Sequence, residues 1–311
     1  MLLTLDVGNT NTVLGLYALD NAGGAASAPA RSGEGSGDRS GGADVTSGLV
    51  AHWRVSTHKT QTADEYGVLF LQLFAMHKLE VSAVKAIIVS SVVPPLDSTL
   101  RRVCERYFQI TPMFVEPGIK TGMPLLIDNP AELGADRLVN GIAAFARYGG
   151  PVIVVDFGTA TTFDVITARG EYIGGVIAPG LGISADALFT RAAKLARVDI
   201  KRPAKTIGTN TIAHLQSGLF YGYIGLVDGI LERIIVELRG TELRGAESRE
   251  SELKGAEAAG AAWREPKVVA TGGLARMILE DSKYITEIDD MLTLDGLRLL
   301  YERNRKENAR R

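Results

Sequence analysis

The chain has 311 residues, 46% of them hydrophobic and 23% charged, with a formal net charge of −2 at pH 7. This near-neutral balance excludes nucleic acid and an anionic membrane as main partners. A single cysteine, Cys104, excludes an internal disulfide. No run of about 18 apolar residues could span a membrane, and no basic leader precedes Asp6. We therefore expect a cytoplasmic, soluble enzyme of two domains.

The first half predicts an α/β domain. Strand patterns cover residues 2–7, 12–19, 49–55, 85–91 and 111–115. Thr62 followed by Glu65 is a capping-box pattern, which predicts a helix whose apolar stripe holds Tyr66 and Phe70. Pro94 begins a second helix, because proline is tolerated in a first turn.

Two segments interrupt these patterns. Residues 21–48 are rich in Gly, Ala and Ser, which predicts a flexible insertion at a loop tip. Residues 237–261 divide into five pentads, ELRGT, ELRGA, ESRES, ELKGA and EAAGA. Pentads can build a β-helix, but this stretch is too short to bury a core, so we favour an extension of the preceding helix.

The second half repeats the order of the first. Helices are predicted at about 131–147, 181–195 and 211–238, and strands at 152–155, 161–167, 172–177 and 267–270. A strand, a hairpin and then helices in each half favour mixed sheets with packed helices. We expect domains at 1–117 and 118–311, with the chain crossing between them at 118–129.

Two loops place an aspartate, a glycine and a threonine after a buried strand. They read Asp6-Val7-Gly8-Asn9-Thr10 and Asp156-Phe157-Gly158-Thr159-Ala160, and they start 150 residues apart (156 − 6 = 150). Such loops handle phosphate, because glycine admits oxygens to backbone N–H groups and the hydroxyl donates a further hydrogen bond. Either aspartate alone could close an Asx turn. The matched pair favours a duplicated fold that closes around a nucleotide.

Asp136 and Arg137 lie near the start of a predicted helix, after Gly134 and Ala135. The acid could have no role beyond stabilising the helix dipole, or it could act as a catalytic base. The planar guanidinium beside it could clamp a carboxylate. Gly272-Gly273 after the last strand could seat adenine or form a turn. The chain has no Walker, Gly-x-Gly-x-x-Gly or Gly-x-Ser-x-Gly pattern.

Five segments in this order resemble the type III pantothenate kinases, within the acetate and sugar kinase, Hsp70 and actin superfamily. They are residues 6–12, 134–137, 156–161, 174–180 and 271–273. The resemblance implies two similar ribonuclease H-like (actin-like) domains, each a mixed sheet with packed helices, and a nucleotide cleft between them. It also implies ATP-dependent phosphorylation of pantothenate, the first step of coenzyme A synthesis.

The resemblance also implies roles for single residues. ATP would be bound by Asp6, Val7, Gly8, Asn9, Thr10, Asn11, Thr12, Val13 and Thr159. Pantothenate would be bound by Gly134, Ala135, Asp136, Arg137 and, from the partner subunit of a homodimer, Thr211. Asp136 would be the general base. Asp156 would hold a monovalent cation, K⁺ or NH₄⁺, and Mg²⁺ would accompany ATP.

One position departs from the family pattern. Many members carry a tyrosine nine residues before the base, where this chain has Ile127. A polar contact to substrate at that position is therefore in question. Two other functions stay open: a related kinase acting on a sugar or an acid, and a nucleotide-binding regulator without turnover. Retention of Asp6, Asp136 and Asp156 together favours the enzyme, because a pure binder needs no base.

Overall fold

The computed structural model describes residues 1–19, 48–192, 195–252 and 263–308. The predicted insertion at 21–48 lies outside the described residues except for Gly48. The pentad segment is described up to residue 252, where it is helical, and its remainder at 253–261 lies outside the described residues.

The chain forms two compact units, Met1–Glu116 with Leu297–Arg311, and Pro117–Gly296. The end of the chain thus groups with the first unit, which differs from the expected division into 1–117 and 118–311. The boundary between the second unit and this last part of the first falls within one helix, Leu292–Asn308.

The first unit is built on a five-stranded mixed sheet with the strand order β3-β2-β1-β4-β5. Strand β1 pairs antiparallel with β2 and parallel with β4. The strands are β1 (Leu2–Val7), β2 (Asn11–Tyr17), β3 (Leu49–Ser56), β4 (Ala86–Ser91) and β5 (Met113–Phe114). The helices that follow β3 and β4 are α1 (Ala63–Met76) and α2 (Pro94–Val103).

The second unit repeats this sheet, and its strands are ordered β8-β7-β6-β9-β10. Strand β6 pairs antiparallel with β7 and parallel with β9, as β1 does with β2 and β4. The strands are β6 (Val152–Phe157), β7 (Ala160–Ile166), β8 (Tyr172–Pro179), β9 (Lys267–Gly272) and β10 (Glu287–Ile288). The helices are α3 (Ala135–Tyr148), α4 (Leu181–Arg191), α5 (Thr211–Glu252), α6 (Ala275–Leu279) and the start of α7 (Leu292–Asn308), whose residues from Leu297 onward belong to the first unit.

The duplication extends to single positions. In both β1 and β6 every residue is buried except the aspartate next to the end, Asp6 or Asp156. Asp6 lies opposite Val13, and Asp156 lies opposite Thr162, at the same place in each hairpin. These two sheets with their packed helices confirm the predicted fold class of two similar α/β domains.

Each unit has its own apolar core. In the first, the helix stripe predicted from the capping box is confirmed, since Tyr66 and Phe70 are buried against the sheet. The capping box itself is present, with Thr62 and Glu65 bonded reciprocally. In the second, the long helix α5 contributes Phe220, Val227 and other buried side chains.

Several helix limits differ from the predicted ones. Helix α3 begins at Ala135 and not near 131, because Pro130–Glu132 form a separate 3-10 turn. Helix α5 extends into the pentads as far as Glu252, which agrees with the favoured interpretation of that segment, whereas α6, β10 and α7 were not predicted. Among the described helices, none combines the length and the apolar character needed to cross a membrane.

Candidate active site

The turn after each central strand exposes the polar residues of the two matching loops. Gly8 N–H donates to the Asn11 carbonyl at 3.0 Å, and Gly158 N–H donates to the Ala160 carbonyl at 3.1 Å. The residue after each glycine, Asn9 or Thr159, is exposed. Each turn therefore presents an exposed amide or hydroxyl close in sequence to a half-buried carboxylate.

The loop of the first unit is supported by the segment that follows β3. The Thr12 and Thr57 hydroxyls lie 2.9 Å apart, and Thr57 N–H donates to the Thr10 carbonyl at 2.9 Å. Lys59 Nζ donates to Asn9 Oδ1 at 3.0 Å. The sequence interpretation did not include Thr57 or Lys59, because only the sheet register brings β3 alongside this loop.

In the second unit, Asp156 is held from the side of helix α3. Its Oδ2 accepts a hydrogen bond from Asn140 Nδ2 at 3.2 Å. Asn140 is fully buried, and its Oδ1 accepts a hydrogen bond from the Thr293 hydroxyl at 2.7 Å. Asn140 thereby orients the carboxylate. It lies one helical turn after Asp136, so the same helix carries the candidate base and the support for the candidate cation ligand.

Gly272 provides the other side of the Asp156 environment. It has a φ of +91°, and a Cβ there would lie 2.7 Å from Asp156 Oδ1 and 2.7 Å from the Phe157 carbonyl oxygen. Only glycine fits this conformation and this spacing. Gly272, which with Gly273 is a candidate for seating adenine, therefore leaves space at the strand end beside the Asp156 carboxylate.

The donor set around Asp156 fits a hard cation. A carboxylate oxygen and a nearby backbone carbonyl, that of Phe157, are the type of ligand such ions take. Within the described ranges, no group of three or more His, Cys, Asp or Glu residues could hold a metal ion. Asp156 is a candidate for an oxygen ligand of such an ion.

Asp136 lies in the first turn of α3, two residues after the cap position Gly134. Its Oδ1 accepts a hydrogen bond from the Arg137 backbone N–H at 2.8 Å. A Cβ on Gly134 would lie 2.6 Å from the same oxygen, so glycine is what allows the carboxylate to fold back over the helix start. Burial raises the pKa of Asp136 above its ordinary value, against the lowering effect of Arg137. A raised pKa is typical of a carboxylate that accepts a proton in catalysis.

Arg137 is fixed by a buried carboxylate on β7. Its Nε donates to Asp164 Oδ1 at 2.8 Å, and its Nη2 lies 2.7 Å from the same oxygen. The Tyr172 hydroxyl donates to this oxygen as well, at 2.6 Å. The Asp164 side chain is 0% exposed and that of Arg137 is 16% exposed. The guanidinium is therefore anchored along one edge, and the side chain as a whole stays partly exposed.

Burial has a strong effect on the acid of this pair. It raises the pKa of Asp164 to about 6, although Arg137 and the Tyr172 hydroxyl oppose the shift. An aspartate buried in this way is costly unless charge and hydrogen bonds compensate, so the three side chains depend on one another.

The glycines of β8 make room for the arginine. A Cβ on Gly175 would lie 1.9 Å from the Phe163 carbonyl oxygen and 2.8 Å from Arg137 Nη2. A Cβ on Gly174 would lie 3.9 Å from Ile127 Cγ2. Ile127, the position at which the family resemblance implies a tyrosine, thus lies half-buried beside β8.

Thr211 lies elsewhere in the second unit. It is the first residue of α5, and its side chain is exposed. The neighbouring Asn210 caps this helix, since its Oδ1 accepts a hydrogen bond from the Ala213 N–H at 2.9 Å. Asp136, Arg137 and Asp164 form one group of contacting residues, and Asp156 and Asn140 form another. Thr211 belongs to neither group.

Sequence reasoning missed Asp164, Tyr172 and Asn140. One signal was present: Asp164 is an acid within an otherwise apolar strand segment, where a carboxylate needs a partner. That signal does not identify the partner, since Arg137 lies 27 residues away in sequence.

Comparison with known proteins gives a consistent family. A family model described as type III pantothenate kinase matches residues 2–233. A Koribacter versatilis protein named type III pantothenate kinase is 55% identical over 311 residues, covering 100% of this chain and 98% of the relative. One from Acidobacterium capsulatum with the same name is 52% identical over 305 residues, covering 98% of this chain and 96% of the relative.

A solved structure gives a likeness of fold alone. It is a Campylobacter jejuni protein described as a Baf family transcriptional activator, with a TM-score of 0.52 and 16% identity. The match covers 98% of this chain and 99% of that one.

The buried pair of Arg137 and Asp164 gives a prediction about stability. Asp164→Asn leaves the arginine without its counter-ion, so we expect the free energy of unfolding to fall by about 3 kcal/mol. Asp186→Asn is the matched control, because Asp186 pairs with Arg197 at 2.8 Å with both side chains exposed. The control should change stability by less than about 1 kcal/mol. Urea unfolding measures both variants, and equal losses would contradict the assigned role of burial.

Proposed function

The chain belongs to the type III pantothenate kinase family, and on that premise we propose that it transfers the terminal phosphoryl group of ATP to the primary hydroxyl of pantothenate, yielding 4′-phosphopantothenate for coenzyme A synthesis. The observation that carries the proposal is the juxtaposition at the start of α3. There a carboxylate of raised pKa, Asp136, lies next to an arginine that is anchored by Asp164. A base and a carboxylate-binding group are what a hydroxy acid substrate needs.

Asp136 is the proposed general base. Its carboxylate accepts the proton of the substrate hydroxyl while the oxygen attacks the γ-phosphorus, and ADP leaves. Phosphoryl transfer relies on positioning and charge neutralisation more than on covalent help from the protein. The helix start supports this role, because the Arg137 N–H donates to the carboxylate and the absence of a Cβ at Gly134 leaves room for it.

Arg137 is the proposed partner of the pantothenate carboxylate. The geometry supports this because Asp164 and Tyr172 hold the side chain along one edge, so little rotamer entropy is lost on binding. Gly134 and Ala135 complete the proposed substrate segment. Glycine has no side chain and alanine only a methyl group, so a ligand can approach the backbone there. Ile127 supplies an apolar surface there where relatives have a phenol.

The proposed ATP contacts lie in the two matching turns. Residues 6–13 bind phosphates through backbone N–H groups and side-chain hydroxyls, and Thr159 contributes from the second turn. The exposure of Asn9, Thr10 and Thr159 supports this assignment. Mg²⁺ is proposed to arrive with the nucleotide. ATP as co-substrate also agrees with the proposed cytoplasmic location.

Asp156 is the proposed ligand of a monovalent cation, K⁺ or NH₄⁺. Such an ion, when bound, supplies positive charge near the phosphates. The support comes from the Asn140 hydrogen bond, which orients the carboxylate, and from Gly272, which keeps the strand end open.

A homodimer is proposed to complete the substrate site, with Thr211 reaching pantothenate of the partner subunit. Two apolar side chains beside Thr211 are exposed, Ile207 at 85% and Ile212 at 57%. Exposed apolar residues clustered at a helix start are typical of an interface. They support α5 as part of the dimer contact.

The proposed reaction is tested by ADP release. We expect ADP formation that depends on pantothenate and is faster in K⁺ or NH₄⁺ than in Na⁺ at equal ionic strength, because the cation site selects by size and hydration. A panel of sugars and hydroxy acids tests the related-kinase alternative. ATP binding without pantothenate-dependent turnover in any of the salts would reject the kinase and favour a regulator.

The base is tested by Asp136→Asn. This change keeps size but removes the proton acceptor, so we expect turnover to fall by about 10²-fold or more while ATP still binds. In the wild type, kcat/KM should fall as pH falls through the raised pKa of Asp136, because the base must be ionised. That acidic limb should lie above the range of an ordinary aspartate and should be lost in the variant. Near-normal turnover by Asp136→Asn would remove this residue from the role.

The shared site is tested by mixing two inactive or weakened variants, Asp136→Asn and Thr211→Ala. If Thr211 acts across the dimer, each mixed dimer contains one site with both native residues. An equimolar, fully exchanged mixture should then regain about a quarter of wild-type sites, as two-fold symmetry requires. A mixture that shows only the mean activity of the two variants would place Thr211 outside the partner's site.

A further inference from the structure

The loop proposed to bind the ATP phosphates lacks a cation of its own. Residues 6–13 include one acid and no lysine or arginine. A triphosphate adds several negative charges at the same place, and Mg²⁺ neutralises only part of them. Phosphoryl transfer depends on neutralising the charge that develops in the transition state. A cation from a neighbouring segment of the same unit would complete this site.

Lys59 provides a cation in contact with this loop. Its Nζ donates to the side-chain oxygen of Asn9 at 3.0 Å, and both residues are exposed. Within the part of the chain that the structure describes, Asn9 is the one hydrogen-bond partner of this ammonium. An ammonium has three N–H donors, so two remain for a ligand at the loop.

The backbone before Lys59 is fastened to the loop. Strand β3 pairs with β2, and its last residue, Ser56, lies opposite Asn11. Beyond the strand, Thr57 N–H donates to the Thr10 carbonyl at 2.9 Å, and its hydroxyl lies 2.9 Å from that of Thr12. The position of Lys59 relative to the loop is therefore set by main-chain and side-chain bonds on consecutive residues.

A buried tyrosine fixes the next residue as well. The Tyr66 side chain is 0% exposed, and its hydroxyl donates to the His58 carbonyl at 3.1 Å and accepts from the His58 N–H at 3.0 Å. Backbone polar groups of the connection to α1 are thus bonded to the core. A fixed backbone that carries an exposed cation is the arrangement of a preorganised ligand contact.

The contacts of Lys59 differ from those of the basic residues near it. Lys59 borders an open cavity of about 690 Å³ beside α1 and α2, which Arg102 and Arg106 also line and which none of residues 6–13 lines. Arg106 is paired with Asp64 at 2.7 Å. Lys59 differs, since its contact is with the uncharged side chain of a loop residue and its charge is not cancelled by that contact.

We propose that Lys59 contacts the phosphate chain of ATP and supplies the positive charge that residues 6–13 lack. This rests on the proposed role of that loop in binding ATP. The ammonium donates to phosphate oxygens in the ground state and stabilises their charge during transfer, and no covalent bond to the lysine forms. Asn9 positions the ammonium before the nucleotide arrives.

The test compares Lys59→Met with Lys59→Arg in the full-length protein. Lys85→Met is the matched control, because Lys85 is an exposed lysine of the same unit whose Nζ donates to the Ser82 carbonyl at 2.9 Å. Calorimetry gives the affinities for ATP, ADP and adenosine, and steady-state kinetics give kcat and both KM values. Thermal unfolding reports on the fold of each variant.

We expect Lys59→Met to weaken ATP binding by about 10- to 100-fold, as for loss of a charge-assisted hydrogen bond, with adenosine affinity and the KM for pantothenate unchanged. Lys59→Arg should recover part of the loss, and Lys85→Met should match the wild type. Wild-type ATP affinity and kcat in Lys59→Met would overturn the proposal. So would equal losses for ATP and adenosine with a lowered unfolding temperature, which would indicate a structural role.

The affinity measurements separate this proposal from the kinase reaction. A wild-type protein that binds ATP but does not phosphorylate pantothenate would reject only the reaction, and the Lys59 variants would still be judged by binding. A wild-type protein that binds no ATP would reject both.

Discussion

The organisation of both units depends on one constraint: each central strand is hydrogen-bonded on both sides and covered on both faces. Strands β1 and β6 are therefore apolar along almost their whole length, and a carboxylate is tolerated only where the strand ends. The same constraint places a tight turn directly after the carboxylate, because the next strand returns antiparallel. Backbone N–H groups, a carboxylate and a hydroxyl thus come together at the same end of each sheet.

Asp164 is fully buried within strand β7, and it shows the cost of placing an acid away from a strand end. Burial raises its pKa, and its charge is compensated by Arg137 and by the Tyr172 hydroxyl. A buried pair is weak as a source of stability, since desolvation offsets most of the attraction. Its value here is orientation. An arginine held along one edge presents the rest of its fork in a single direction, next to the carboxylate of Asp136.

The duplicated sheets do not give two equal sites. In the first unit Lys59, from the chain after β3, donates a hydrogen bond to Asn9 of the turn. In the second unit the side-chain amide of Asn140, on helix α3, donates a hydrogen bond to Asp156 at the matching strand end. The two halves have therefore acquired different chemistry at equivalent positions: positive charge beside one turn, and an oriented carboxylate beside the other. This difference is what the proposed division between phosphate binding and cation binding rests on.

The local features of this protein follow from its sequence. Buried strands ending in aspartate, the capping box at Thr62 and the repeated order of elements follow from patterns within a few residues, and these patterns were sufficient to predict the duplicated α/β fold; the roles of Asp6, Asp136 and Asp156 stay predictions. The contact partners of these and other polar side chains are apparent only in the folded chain. Asp164 and Arg137, Asn140 and Asp156, and Lys59 and Asn9 are 27, 16 and 50 residues apart. Such pairs form because strand register and helix packing bring distant side chains together, and periodicity along the chain carries no information about which distant residue will lie opposite.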